Sequence, residues 1–286
     1  WNAGERINTI YAETSPWFSG DTMLYYASGS PPGSPLLGEA YDDQHFRILE
    51  ASFDLAKTKP GVEMGRRIND AATHNANAVL SADGRRLFFS RCEKTATRNC
   101  GLWYADRLRG KWGKARPVRG EVNMAGYSST HPALDTLDGR TILYFSSDRP
   151  GGYGGWDLYY TILDGYRPGP VVNLGKPVNT EGNERTPTIH EGSLFFSSDG
   201  HTGIGGLDLF SSRGALNQWT QPYNLRIPFN SPADDLWFTP STKTRPGSLV
   251  SNRKGSMAYA GETCCYDIFF HQRREPEALA YAEDSL

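Results

Sequence analysis

Short apolar runs recur along the chain, each cut off by a polar turn. The two clearest are Gly139-Arg-Thr-Ile-Leu-Tyr-Phe-Ser-Ser-Asp148 and Gly192-Ser-Leu-Phe-Phe-Ser-Ser-Asp199. Each leads through a glycine-rich loop into a second run, Gly154-Gly-Trp-Asp-Leu-Tyr-Tyr160 and Gly205-Gly-Leu-Asp-Leu-Phe-Ser211. Runs this short, rich in aromatic residues and bounded by Gly, Asp and Ser, read as strands. Looser copies flank them. One pairs Asp83-Gly-Arg-Arg-Leu-Phe-Phe-Ser90 with Cys100-Gly-Leu-Trp-Tyr104, and another pairs Gly247-Ser-Leu-Val-Ser251 with Cys265-Tyr-Asp-Ile-Phe-Phe270. The first copy pairs Gly20-Asp-Thr-Met-Leu-Tyr-Tyr26 with His45-Phe-Arg-Ile-Leu49.

An asparagine precedes each copy, at Asn8, Asn69, Asn123, Asn179 and Asn230, with spacings of 61, 54, 56 and 51 residues. Five copies of one multi-part pattern define a repeat, and a repeat outranks local propensity. Each copy offers four strands. Strand a follows the Asn, strand b is the Leu-Tyr-Phe-Ser run, strand c is the Asp-Leu-Tyr run, and strand d carries a Trp or Pro. Four strands per such period is the unit of a β-propeller blade. The pattern therefore predicts an all-β, five-bladed β-propeller with four-stranded antiparallel blades. The fifth copy has no strand d after Phe270, and Trp1–Arg6 is expected to supply it, closing the ring and removing two sheet edges. The expected domains are a propeller over 1–271 and a charged linker over 272–286. Opening at Trp1 in mid-pattern, the chain reads as a segment of something longer.

Composition agrees and excludes other classes. Among 286 residues aromatics are 12 %, with Gly 31 and Pro 18 against Met 4. A net charge of −2 argues against nucleic acid as a partner. No apolar run is long enough to insert in a membrane.

The motifs Leu143-Tyr-Phe-Ser-Ser-Asp148, Gly154-Gly-Trp-Asp-Leu-Tyr159 and Val178-Asn-Thr180 resemble the WD40-like, TolB-type repeat. In Bacteroidota this repeat commonly lies upstream of an OmpA-like peptidoglycan-binding domain. The resemblance covers Trp1 to about Phe270. It implies a scaffold associated with the outer membrane on its periplasmic side, part of the type IX secretion machinery. Its partners would be other envelope and secretion proteins, with peptidoglycan held only through a domain outside this sequence. It implies protein contact, no catalysis and no cofactor. A glycan- or peptide-binding propeller is the alternative.

Of the four cysteines, Cys92 ends strand b and Cys100 begins strand c of blade two, so they flank one loop and can form a disulfide. Cys264 and Cys265 are either a vicinal disulfide or two thiols. Neither pair has metal-ligand spacing. The glycine loops at 150–155 and 200–206 join strands and precede no helix, so they read as turns using Gly for positive φ, not as phosphate cradles. Asp157, Asp208 and Asp267 recur blade by blade, which points to backbone N–H acceptance. In a propeller the b–c and d–a loops share one face. Tyr127, Arg149, Tyr153, Trp156, Arg185, His201, Asp234 and Asp235 lie on those loops and form the expected partner-binding face, since aromatics and Arg anchor interfaces.

Overall fold

The computed structural model describes residues 1–29, 45–55, 57–94, 99–257 and 265–272. Cys264 and all but the first residue of the 272–286 linker lie outside these residues. Five antiparallel sheets follow one another in chain order. The inner strands, a, are Glu13–Ser19, Thr73–Leu80, Ser129–Leu137, Glu184–His190 and Asp235–Thr239. The next, b, are Met23–Ser28, Arg86–Glu93, Arg140–Ser147, Ser193–Ser198 and Gly247–Ser251. Strands c are Arg47–Ser52, Cys100–Leu108, Asp157–Asp164, Asp208–Ala215 and Asp267–His271.

The outer strand is shorter than the repeat pattern suggests. In blades two to four it is two two-residue pieces, for example Arg167–Pro168 and Val172–Asn173, both paired with strand c. The chain start completes blade five. Ala3 N donates to the Ile268 carbonyl at 2.9 Å, Phe270 N to Trp1 O at 2.8 Å, and Trp1 N to Phe270 O at 2.8 Å.

Strand b shows why the hydrophobic run is unbroken. In blade three Leu143 and Phe145 pack with Phe88 and Leu102 of blade two. Ile142 and Tyr144 point the other way, against Leu194 and Phe196 of blade four. Successive side chains of a strand face opposite ways, so a sheet covered on both faces needs apolar residues at every position. Five such clusters fill the five gaps between blades. Each fully buried aromatic in them contributes about 1.5–3 kcal/mol.

The repeated asparagines act through their side chains. Asn179 Oδ1 accepts from Leu158 N at 2.9 Å and its Nδ2 donates to Leu158 O at 2.9 Å. Asn8 pairs in this way with Ile268, Asn69 with Ile48, Asn123 with Leu102 and Asn230 with Leu209. The primary amide presents one donor and one acceptor as a peptide group does, so it stands in for one residue of the outer strand. The aspartates also solve a per-blade problem. Asp157 accepts from Tyr153 N and Asp208 from Ile204 N, at 2.6 and 2.7 Å.

The glycine loops differ from expectation. Of the six residues at 150–155 only Gly151 has positive φ. A Cβ on Gly154 would lie 2.1 Å from the Gly182 carbonyl oxygen, and one on Gly205 would lie 2.2 Å from that of Ala233. Glycine is needed there because each loop touches the backbone of the next blade. Cys92 and Cys100 are joined by a disulfide across their loop, and Cys265 is also disulfide-bonded.

Candidate functional site at the axial mouth

All five inner strands carry a β-bulge at the same level. Its residue, Ser15, Asn77, His131, Thr186 or Trp237, has φ between 48° and 59°. The bulges turn these side chains into a ring about the axis. Ser15 Oγ accepts from Asn77 N at 3.1 Å, and Thr186 Oγ1 accepts from Trp237 N at 3.2 Å. His131 and Trp237 meet edge to face with centroids 5.5 Å apart. Asn77 Oδ1, His131 Nδ1 and Trp237 Nε1 are buried without a hydrogen-bond partner. Burial, aided by the nearby Arg185 cation, pushes His131 down to about 3, so its ring is neutral. On the side away from the b–c loops the ring floors a pocket of about 60 Å³ lined by residues including Pro16, Trp17, Val79, Leu134, Ile189 and Thr239. No Asp or Glu is among the described residues lining it.

Arg185 lies at the other end of the axis, one residue into the inner strand of blade four. Its guanidinium sits over the Trp156 ring, 4.9 Å from the centroid. The backbone sets this pair up. Glu184 N donates to Trp156 O at 2.7 Å, stitching strand c of blade three to strand a of blade four. The same stitch joins Asn75 to Phe46, Asp235 to Leu207 and Glu13 to Tyr266. Arg185 makes no hydrogen bond or ion pair among the described residues, and its Nε is buried without a partner. Burial lowers its pKa, while Asp199, Tyr266, Asp148 and Asp234 raise it. Those carboxylates are tied to neutral donors. Asp148 accepts from Ser128 N, Asp199 from Asn183 N, and Asp234 from Leu207 N and the Tyr266 hydroxyl.

The residues at Arg185's register position in the other inner strands are Thr14, Ala76, Thr130 and Leu236. None is charged, so Arg185 answers no requirement shared by the blades. Trp156, Arg185 and Asp234 of the expected face do come together at this mouth. Tyr153 is exposed nearby in sequence, with Lys176 Nζ 5.6 Å from its ring centre, and Tyr127 is exposed on a d–a loop.

Three expected face residues serve the ring itself. Arg149 donates to Ser147 Oγ, Glu121 O, Val122 O and Ser129 Oγ. His201 Nε2 pairs with Val178 O at 2.9 Å, and Arg253 does for Phe229 O what Arg149 does for Val122 O. Asp235 is 0 % exposed and accepts from Ser231 N and Arg253, as Glu184 accepts from Thr180 and Ser198. Sequence reasoning missed Asp148, Asp199, Tyr266 and His131 as neighbours of Arg185. Their signal was position, because each stands at the top of strand b, at the start of strand c or at the bulge. Among the described residues no group of three or more His, Cys, Asp or Glu is placed to hold a metal.

No protein-family model and no curated protein matches the chain. Solved structures do. An α-L-arabinofuranosidase from Lactobacillus brevis aligns with TM-score 0.56 at 12 % identity, over 95 % of this chain and 93 % of that one. The exo-β-1,3-galactanase 1,3Gal43A from Clostridium thermocellum aligns with TM-score 0.55 at 13 % identity, over 92 % and 61 %. TolB from Acinetobacter baumannii aligns with TM-score 0.46 at 12 % identity, over 84 % and 51 %. At such identities the likeness is one of fold. It corrects the expectation of a chain without enzymatic activity: the arabinofuranosidase and the galactanase are enzymes, so this architecture is one on which catalysts are built.

Proposed function

We propose that this ring is a recognition module of a periplasmic, outer-membrane-associated protein, similar to PorE of the type IX secretion machinery, and that it captures another envelope protein at the axial mouth. The TolB-type repeat motifs support the compartment and the class of partner. One observation carries the location: Arg185, a cation held against Trp156, finds no hydrogen-bond partner for its side chain among the described residues at the mouth where the inner strands begin. Arg and Trp are the residue types that dominate interface energetics. A photo-reactive side chain at position 153, on this face, should capture a partner in the native envelope. The same group at position 138, in an a–b turn on the opposite face, should not. Capture from 138 alone would overturn the assignment of the face.

The shared fold with the arabinofuranosidase and the galactanase supports a second reading, a sugar substrate at the same mouth. Glycoside hydrolysis needs two carboxyls roughly 5–10 Å apart, and Asp148, Asp199 and Asp234 are the described acids grouped there. Release of sugar from arabinan or galactan, lost in Asp148→Asn or Asp199→Asn, would establish it. No release would remove it.

A further inference from the structure

The proposed capture site leaves open which chemical group it holds, and any answer rests on that reading of the face. Arg185 presents a fork of donors suited to a planar anion. It has no hydrogen bond or ion pair among the described residues. Trp156 fixes its plane from one side. Asp148, Asp199 and Asp234 lie close enough to act on its charge, and each accepts from neutral donors, with Asp199 exposed. Among the described residues, Arg185 is thus an unpaired cation with three acidic side chains acting on it. A simple anion would be drawn by the guanidinium and repelled by the acids. A simple cation would meet the reverse. An amphoteric group matches both.

We infer that Arg185 binds a carboxylate that has a cationic group beside it, as at the C-terminal Lys or Arg of a peptide, with the cation turned to Asp148, Asp199 or Asp234. These acids raise the local concentration of cationic peptides, and the fork of Arg185 selects those with a carboxylate in register.

The probes are four short peptides: N-acetyl-Ala-Lys as the free acid, the same peptide as its C-terminal amide, N-acetyl-Ala-Ala as the free acid, and N-acetyl-Asp-Lys amide. Binding is read from the indole N–H resonance of Trp156 in the intact chain. The lysine free acid should shift it and bind more tightly than its amide by roughly 10- to 100-fold, the range for hydrogen bonds to a charged group. It should also bind more tightly than the alanine peptide. N-acetyl-Asp-Lys amide distinguishes a chain terminus from an internal acidic–basic pair as the source of the carboxylate. Arg185→Gln should abolish the difference between acid and amide, and Arg185→Lys should restore part of it. Urea melts of both variants verify that the ring is intact. Equal binding of acid and amide, equal binding of the lysine and alanine peptides, or no shift with any peptide overturns the inference. Capture from position 153 that persists in Arg185→Gln would leave the docking face standing while this inference falls.

Discussion

His131 and Trp237, two blades apart in the ring, meet edge to face across its axis. Burial, not this contact, keeps the imidazole neutral. Burial pushes His131 from 6.5 to about 3. As the pH falls the unfolded chain takes the proton first, so stability is fully present above about 6.5 and is lost progressively toward 3. The urea midpoint of the wild type should therefore drop faster between about pH 7 and about pH 4.5 than that of His131→Gln. Groups common to both cancel in the difference, and parallel profiles would refute the assignment.

Glu13 works in the opposite sense. Enclosed at 0 % exposure, it accepts from Thr9 N, Thr9 Oγ1 and Ser28 Oγ, and burial raises it to about 8. A raised value means that the folded state holds the proton more tightly. Its stabilisation is complete below 4.5 and fades as the pH rises toward 8. Glu13→Gln should remove that dependence. Glu13→Ala leaves buried donors unmatched and should cost about 2–3 kcal/mol in urea unfolding.

The side-chain pairing of Asn179 with Leu158 predicts a sharp chemical preference. Asn179→Ala forfeits three hydrogen bonds, two of them fully buried, and should destabilise the ring by about 2–4 kcal/mol. Asn179→Asp retains the acceptor for Leu158 N but sets an oxygen against Leu158 O. It should melt no higher than the alanine variant, and an aspartate variant as stable as wild type would show that the amide donor is idle.

Deleting residues 1–8 removes the pairing with strand c of blade five, together with Ile7 from the core between blades five and one and Asn8 from Ile268. The melting temperature should fall by roughly 10 °C or more, the scale for a loss of several kcal/mol in a large domain. Supplying residues 1–8 as a free peptide should recover part of it. An unchanged melting temperature would mean that the ring closes without this strand.

The ring was legible because its blades repeat. Asn179 and Leu158 meet a backbone requirement that each blade has, so the same residue type returns at the same place, and the missing outer strand of copy five pointed to Trp1. The candidate site was legible only in part, for a related reason. Arg149, His201 and Arg253 do one task with different chemistry, so the first two looked like free anchors. Asp235 looked exposed because it follows a loop, yet it is the counterpart of Glu13 and Glu184 inside the blade. Arg185 and Trp156 belong to the expected face only because their loops lie on it. Their acidic surroundings come from three blades, and no linear pattern shows which strand tops converge.

The closure of blade five also has a mechanical meaning. Trp1 lies opposite Phe270 and Ala3 opposite Ile268, so residues 1 and 272 leave the pairing at the same end. Tension applied through those two points opens the bonds one after another, as a zipper opens, instead of loading them together in shear. The seam gives way first, while the other four blades carry none of the force through their own strands.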